Sequence, residues 1–179
     1  MKIILVAALI NCCVLFQQDE PLSKVANVEL PQKSLRMNKA SLPAKAKGRF
    51  KSTLAISKYE HVYEVDNVLL AFADYNEAKD DFKGLEDRKT EWLGGMSELG
   101  LKANVDKAEI IKVNNTRFLI MGLKNGDEYY CSFISDKKGS RGISGSIQYK
   151  AEDKDKAEKI LSDFLKRISF KAPSLSRDN

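Results

Sequence analysis

The sequence predicts an α+β domain: an antiparallel sheet of about five to seven strands, with an internal helix and a C-terminal amphipathic helix packed on it. Three observations carry that prediction. From Lys107 to Tyr149, apolar and polar residues alternate with a period of two, interrupted by turn residues. Residues 85–99 and 153–170 change to helical spacing. Asn125-Gly126 lies between two strand-like runs and is a strong hairpin signal, because both residues tolerate positive φ.

In chain order, the first element is an export signal. Met1-Lys2 precedes an apolar run from Ile3 to Phe16, broken only by Asn11. One basic residue ahead of about a dozen apolar ones is the layout of a secretory signal. A membrane-spanning helix needs about 20 apolar residues. This run stops earlier, at Gln17-Gln18-Asp19-Glu20-Pro21. Residues 1–17 therefore read as a signal peptide or lipoprotein signal, with a retained anchor as a further alternative. The protein reads as exported: periplasmic, envelope-anchored or secreted. The small residues that ordinary signal cleavage needs are missing near residues 16–20. Leu9-Ile10-Asn11-Cys12 approximates a lipidation motif, with Cys12 or Cys13 as the acceptor. It departs from that motif at Asn11, where Gly, Ala or Ser is usual, and Val14-Leu15-Phe16 continue the apolar run beyond it.

Residues 18–48 read as a basic tether. Pro21, Pro31 and Pro43 fall here, and apolar periodicity is weak. Between Lys24 and Lys58 nine basic residues accompany one acidic residue, Glu29. That segment carries +8, whereas residues 59–179 sum to −2 within a chain of net charge +5. Each Lys or Arg beside an anionic surface is worth about 1 kcal/mol. An anionic lipid or polymer is thus a candidate contact for residues 24–58, and a plain solvated linker is the alternative. No aromatic residue punctuates the cations before Phe50, so stacking on nucleic acid is not expected.

The domain is expected over residues 49–170, with a polar tail at 171–179. Phe50, Ser52, Leu54 and Ile56 alternate with Lys51, Thr53, Ala55 and Ser57, which predicts a half-buried strand. Residues 59–65 and 68–75 read as two strands joined by a turn at Asp66-Asn67. Residues 78–82 are polar and lead to Gly84. A helix follows over 85–99, with Leu85, Trp92, Met96 and Leu99 on one face and Leu93 beside them. Gly94-Gly95 weakens its middle by roughly 1 kcal/mol per glycine, which predicts a bend or an early end, and Gly100 is a natural stop. Four strands are expected at 108–113, 117–124, 128–135 and 143–149, joined at 114–116, at Asn125-Gly126 and at 136–142. Ser144, Ser146 and Gln148 alternate with Ile143, Gly145, Ile147 and Tyr149, so one face of the sheet is expected to be wet or lightly covered. The last helix starts at Asp153 or Asp155 and carries Ala157, Ile160, Leu161, Phe164, Leu165 and Ile168 as one stripe.

The element order, and the ending Gly145-Ser146-Ile147-Gln148-Tyr149 followed by a polar break and the helix to Phe170, resembles the PsbP-like fold. That fold occurs in lumenal subunits of photosystem II, in a Ran-binding nuclear transport factor and in many small exported bacterial proteins. The resemblance spans residues 49–170 and implies a non-enzymatic binding or accessory protein. It carries over no site residue.

The remaining residues narrow the chemistry. His61 is the only histidine, so a zinc site with two His ligands is excluded, and no nucleophile elbow accompanies it. It reads as a surface or strand-edge residue. Gly94-Gly95 and the glycines at 139–145 lack the spacing of a phosphate loop. The acidic pairs Asp80-Asp81 and Glu86-Asp87 lack the pattern of a calcium loop. No cofactor, metal or catalytic residue is expected. With Cys12 and Cys13 in the signal, Cys131 is left without a disulfide partner and reads as a buried small hydrophobe. The favoured function is a non-catalytic accessory or binding protein of the cell envelope whose partner is another protein. The alternatives are a small-ligand carrier, with a pocket between sheet and helix lined by Trp92, Met96, Phe118 and Tyr130, and an enzyme of unrecognised type.

Overall fold

The computed structural model describes residues 21–76, 84–137 and 141–172. The signal with Cys12 and Cys13, the polar run at 78–82 and the tail from 173 onward lie outside the described residues. The described residues begin with strands β1 (Ala26–Val28) and β2 (Leu35–Arg36), then the short helices α1 (Leu42–Ala46) and α2 (Leu54–Ser57). A hairpin of β3 (His61–Val65) and β4 (Val68–Asn76) leads to helix α3 (Leu85–Glu98). A meander follows: β5 (Val105–Val113), β6 (Thr116–Asn125), β7 (Glu128–Ser135) and β8 (Arg141–Lys150). Helix α4 (Lys154–Lys166) and strand β9 (Ile168–Phe170) close the described chain. Seven strands form one antiparallel sheet in the order β2-β3-β4-β8-β7-β6-β5, and β1 pairs with β9 in a separate ribbon. The fold is thus the expected α+β class with a seven-stranded sheet.

Turn chemistry explains the hairpins. Asp66 and Asn67 both adopt positive φ (46° and 70°), as do Asn114 and Asn115 (48° and 61°), which matches the right-handed twist of the strands they join. Between β6 and β7 the ladder closes at Asn125 and Glu128, so the loop residues are Gly126 and Asp127, one place later than expected. Gly126 takes the positive φ there.

Phe72, Phe118, Phe133, Ile147 and Tyr149 pack under Leu161, Phe164 and Leu165 of α4, and this is the main core. The apolar stripe of α4 works as its spacing predicts, except that Ile168 leaves the helix and enters β9, where it pairs with Val28. Helix α3 lies on the opposite face of the sheet. Its Glu86 reaches Arg117 at 3.8 Å, and Arg117 alternates across β6 with the core residue Phe118. The helix runs unbroken through Gly94-Gly95, contrary to the expected bend. Of its expected inner face only Leu85 is buried, and Leu99 is 68 % exposed.

Three further expectations are corrected. Residues 21–48 do not form a free tether over their length: Met37, Leu42 and Ala46 join Phe50, Ile56 and Tyr59 in a second core against Val62, Leu69 and Ala71. Residues 49–57 are not a strand. The sheet edge beside β3 is taken by β2, and Phe50 and Ile56 reach the core from a loop and a single helical turn, leaving Leu54 exposed. The polar face of β8 is covered by this N-terminal layer. Gln148 is fully buried and donates from Nε2 to the Ser52 carbonyl at 2.8 Å, and the Tyr59 hydroxyl donates to the Gly145 carbonyl at 3.1 Å. Gly145 is required by this packing, because a Cβ there would collide with the Phe133 ring and the Ala71 carbonyl.

Candidate functional site

Helix α4 lies over the middle of the sheet, and β5 is its last strand. The space between them is a cleft of about 270 Å³. Its floor is apolar, made by Ile120 of β6, Cys131 of β7 and Ile147 of β8. Ala157, Leu161 and Leu165 form the α4 wall, and Ile111 faces them from β5. Ala157, the smallest member of the α4 stripe, leaves room where a longer side chain would fill it. The register shifts between Val105 and Lys107, a β-bulge opposite Gly122. Bulges twist an edge strand and redirect its side chains, and here Asp106, Lys107 and Glu109 all line the cleft.

The rim is charged. The Lys107 ammonium lies 3.1 Å from Glu158 and 3.7 Å from Glu109. Burial alone would push its proton off, but the hydrogen bond and charge of Glu158, backed by Glu109, hold its pKa above the ordinary value. Asp106 pairs with Lys154 at 2.9 Å. At the inner end, burial pushes the Cys131 thiol up to about 12, so it stays protonated as a small apolar group. The Tyr149 ring stacks on Tyr129 with centroids 5.4 Å apart. Tyr149 is 3 % exposed, and its hydroxyl makes no hydrogen bond among the described residues. Burial raises its pKa far above normal, with Cys131, Asp106 and Glu158 adding to the effect.

A second polar cluster joins the N-terminal layer to the sheet. Glu128 is fully buried at the start of β7. It accepts from the Lys51 backbone N–H at 2.8 Å, the Tyr130 hydroxyl at 2.6 Å and Lys150 Nζ at 3.2 Å. Burial opposes its ionisation, but Tyr130, the Lys51 amide and Lys150 together outweigh that and hold its pKa below the usual value.

The four residues expected to line one pocket are not brought together. Phe118 belongs to the core under α4. Tyr130 alternates with the core residues Tyr129 and Cys131 along β7 and so lies on the opposite face, bonded to Glu128. Trp92 and Met96 lie one turn apart on α3, both half-buried. His61 is 9 % exposed, with its ring 5.0 Å from Phe72, so it is a buried residue and not a surface one. Cys131 is buried as its strand setting suggests. The cleft residues had a faint signature: Lys107, Glu109 and Ile111 alternate on one strand, and Glu158 flanks the smallest residue of the helical stripe.

Among the described residues no helix is long and apolar enough to cross a membrane. No protein-family model matches the sequence, and no curated protein matches it. The fold is similar to a solution structure of cyanobacterial PsbP (CyanoP) from Synechocystis sp. PCC 6803. That likeness has a TM-score of 0.50 at 8 % identity and covers 82 % of this chain and 86 % of that chain. The PsbP-like fold expected from element order is therefore present, and the match takes in residues outside 49–170.

Proposed function

We propose that this is an exported, non-catalytic accessory protein that rests on an anionic membrane surface through its N-terminal layer. One observation carries the reading. Of the nine cations between Lys24 and Lys58, only Arg49 has a carboxylate partner among the described residues, Glu64 at 2.6 Å. The other eight are all exposed, Lys58 with its ammonium 5.1 Å from the Tyr59 ring centroid. Several cations of the body are instead paired with carboxylates, among them Lys107 with Glu158, Lys150 with Asp127, Lys154 with Asp106 and Lys156 with Asp153. The fold holds the unpaired charge against a rigid core instead of on a free chain, so it is presented as a surface. The leader of 1–17 supports export, and the likeness to cyanobacterial PsbP supports an accessory role. The test is sedimentation of the protein with vesicles containing about 30 % anionic lipid against neutral ones. Binding to the anionic vesicles alone, lost in Lys39→Gln/Lys45→Gln/Lys47→Gln, is the expected result. Equal binding to both, or none, removes the surface reading.

A second reading, a small-ligand carrier, is favoured by the cleft between α4 and β5. It places the ligand on the opposite face of the sheet from the pocket expected beside Trp92.

A further inference from the structure

We infer that the cleft between α4 and β5 is a binding site for a small cationic amphiphile: an ammonium group on a compact apolar body. The inference deepens the carrier reading and rests on it. The apolar part of the site is sized for one ring and a short chain. A dry cavity of about 150 Å³ already holds benzene, and this cleft is about 270 Å³. Ile111, Ile120, Ile147, Leu161 and Leu165 would contact such a body from both walls and the floor.

The head group follows from the charges at the rim. Three carboxylates, Asp106, Glu109 and Glu158, line the cleft with one cation, Lys107. Asp106 is answered by Lys154 from outside it. Lys107 is shared between Glu109 and Glu158, so that trio keeps one negative charge in excess. A bound carboxylate would add to that excess, whereas an ammonium cancels it. Tyr149 adds a further polar atom to the site. It lines the cleft and is 3 % exposed, and its hydroxyl, which is not one of the buried polar atoms left without a partner, opens on the cleft where a ligand can reach it. Held protonated by its surroundings, its oxygen is a neutral acceptor for one ammonium N–H, with Glu158 and Glu109 as charged acceptors for the others.

The experiment uses the full chain and three probes of one shape: phenethylamine, 3-phenylpropionate and propylbenzene. Binding is followed by methyl and amide chemical shifts. Phenethylamine is expected to bind at least about tenfold more tightly than either analogue, with shifts centred on Ile111, Ile147 and Leu161. Glu109→Gln/Glu158→Gln changes two half-exposed side chains, so the fold is kept, and it should bring the amine to within about twofold of propylbenzene. Ser162→Trp, at the exposed mouth on α4, should block every probe. If propylbenzene or the carboxylate binds in the cleft as well as the amine does, the cationic-head inference is overturned while the carrier reading stands. If no probe binds, or the amine shifts map outside the cleft or survive Ser162→Trp, both are overturned.

Discussion

Glu128 is the residue on which the two halves of the molecule meet. It sits at the first position of β7, yet its partners include the Lys51 amide from the N-terminal layer, 77 residues earlier. A buried carboxylate is stable only when its lone pairs are answered, and here three donors answer it. Removing the acceptor strands those donors, so Glu128→Ala should cost about 2–4 kcal/mol, read as a fall in the chemical-denaturation midpoint. The pH dependence has a definite sign. Its folded pKa lies below the reference 4.5, so its stabilisation is complete above about pH 4.5 and is lost as pH falls through the folded value. Glu128→Gln, which cannot ionise, should therefore lose less stability than the parent between pH 5 and about pH 3. Matching acid limbs in the two proteins would remove this assignment. Cys131 offers a simpler test at the same scale. With its thiol pushed up to about 12 and its side chain buried, it should react with Ellman's reagent at pH 8 only after unfolding. Rapid reaction in the native state would mean that the cleft floor is open.

At the scale of elements, the N-terminal layer decides whether the β3–β4 part of the sheet has one covered face or two. Leu69 and Ala71 of β4 are fully buried only because Met37, Leu42, Ala46, Phe50 and Ile56 lie over them. A chain beginning at residue 49 loses Met37, Leu42 and Ala46. Their burial is worth about 4–6 kcal/mol, so Tm should fall by roughly 10–20 °C. A chain beginning at residue 21 should melt like the full chain. Thermal melts of the three chains decide the matter, and equal melting of the shortest would return residues 18–48 to the status of a tether. The long elements were legible in the sequence because periodicity needs length. The ten residues of β6, the eight of β7 and the thirteen of α4 repeat their patterns several times. Strands β1 and β2 have three and two residues and α1 has five, too few to repeat anything. The alternation at 49–57 was real, but three apolar residues, Phe50, Leu54 and Ile56, on a two-residue period fit equally well a loop that lowers Phe50 and Ile56 into a core. The candidate site was the least legible part. A cleft depends on which strand ends the sheet and on how far α4 reaches, and strand order across the β4–β8 crossover is not written in any local pattern.

Over the whole molecule, charge is segregated by layer, and salt can therefore separate binding from folding. The body's ion pairs are mostly exposed, as in Lys159 with Asp163 and Lys156 with Asp153. Such pairs contribute little to stability and are already weakened at physiological ionic strength. The layer of residues 24–58 has net charge +8 and almost no internal compensation, so its attraction to an anionic surface is the dominant long-range term of the molecule. Raising the salt from about 0.05 M to 0.5 M shortens the screening length from over 10 Å to about 4–5 Å. Over that range vesicle binding should fall by more than about tenfold, while Tm should move by no more than about 3 °C. The two changes are measured on one sample series by co-sedimentation and calorimetry. If Tm falls in step with binding, the basic layer is itself held down by electrostatics, and its cations are not free to engage a partner. If binding is indifferent to salt, the contact is apolar. The half-buried apolar side chains on α3 and the exposed Leu54 and Leu99, rather than the lysines, then become the surface to mutate.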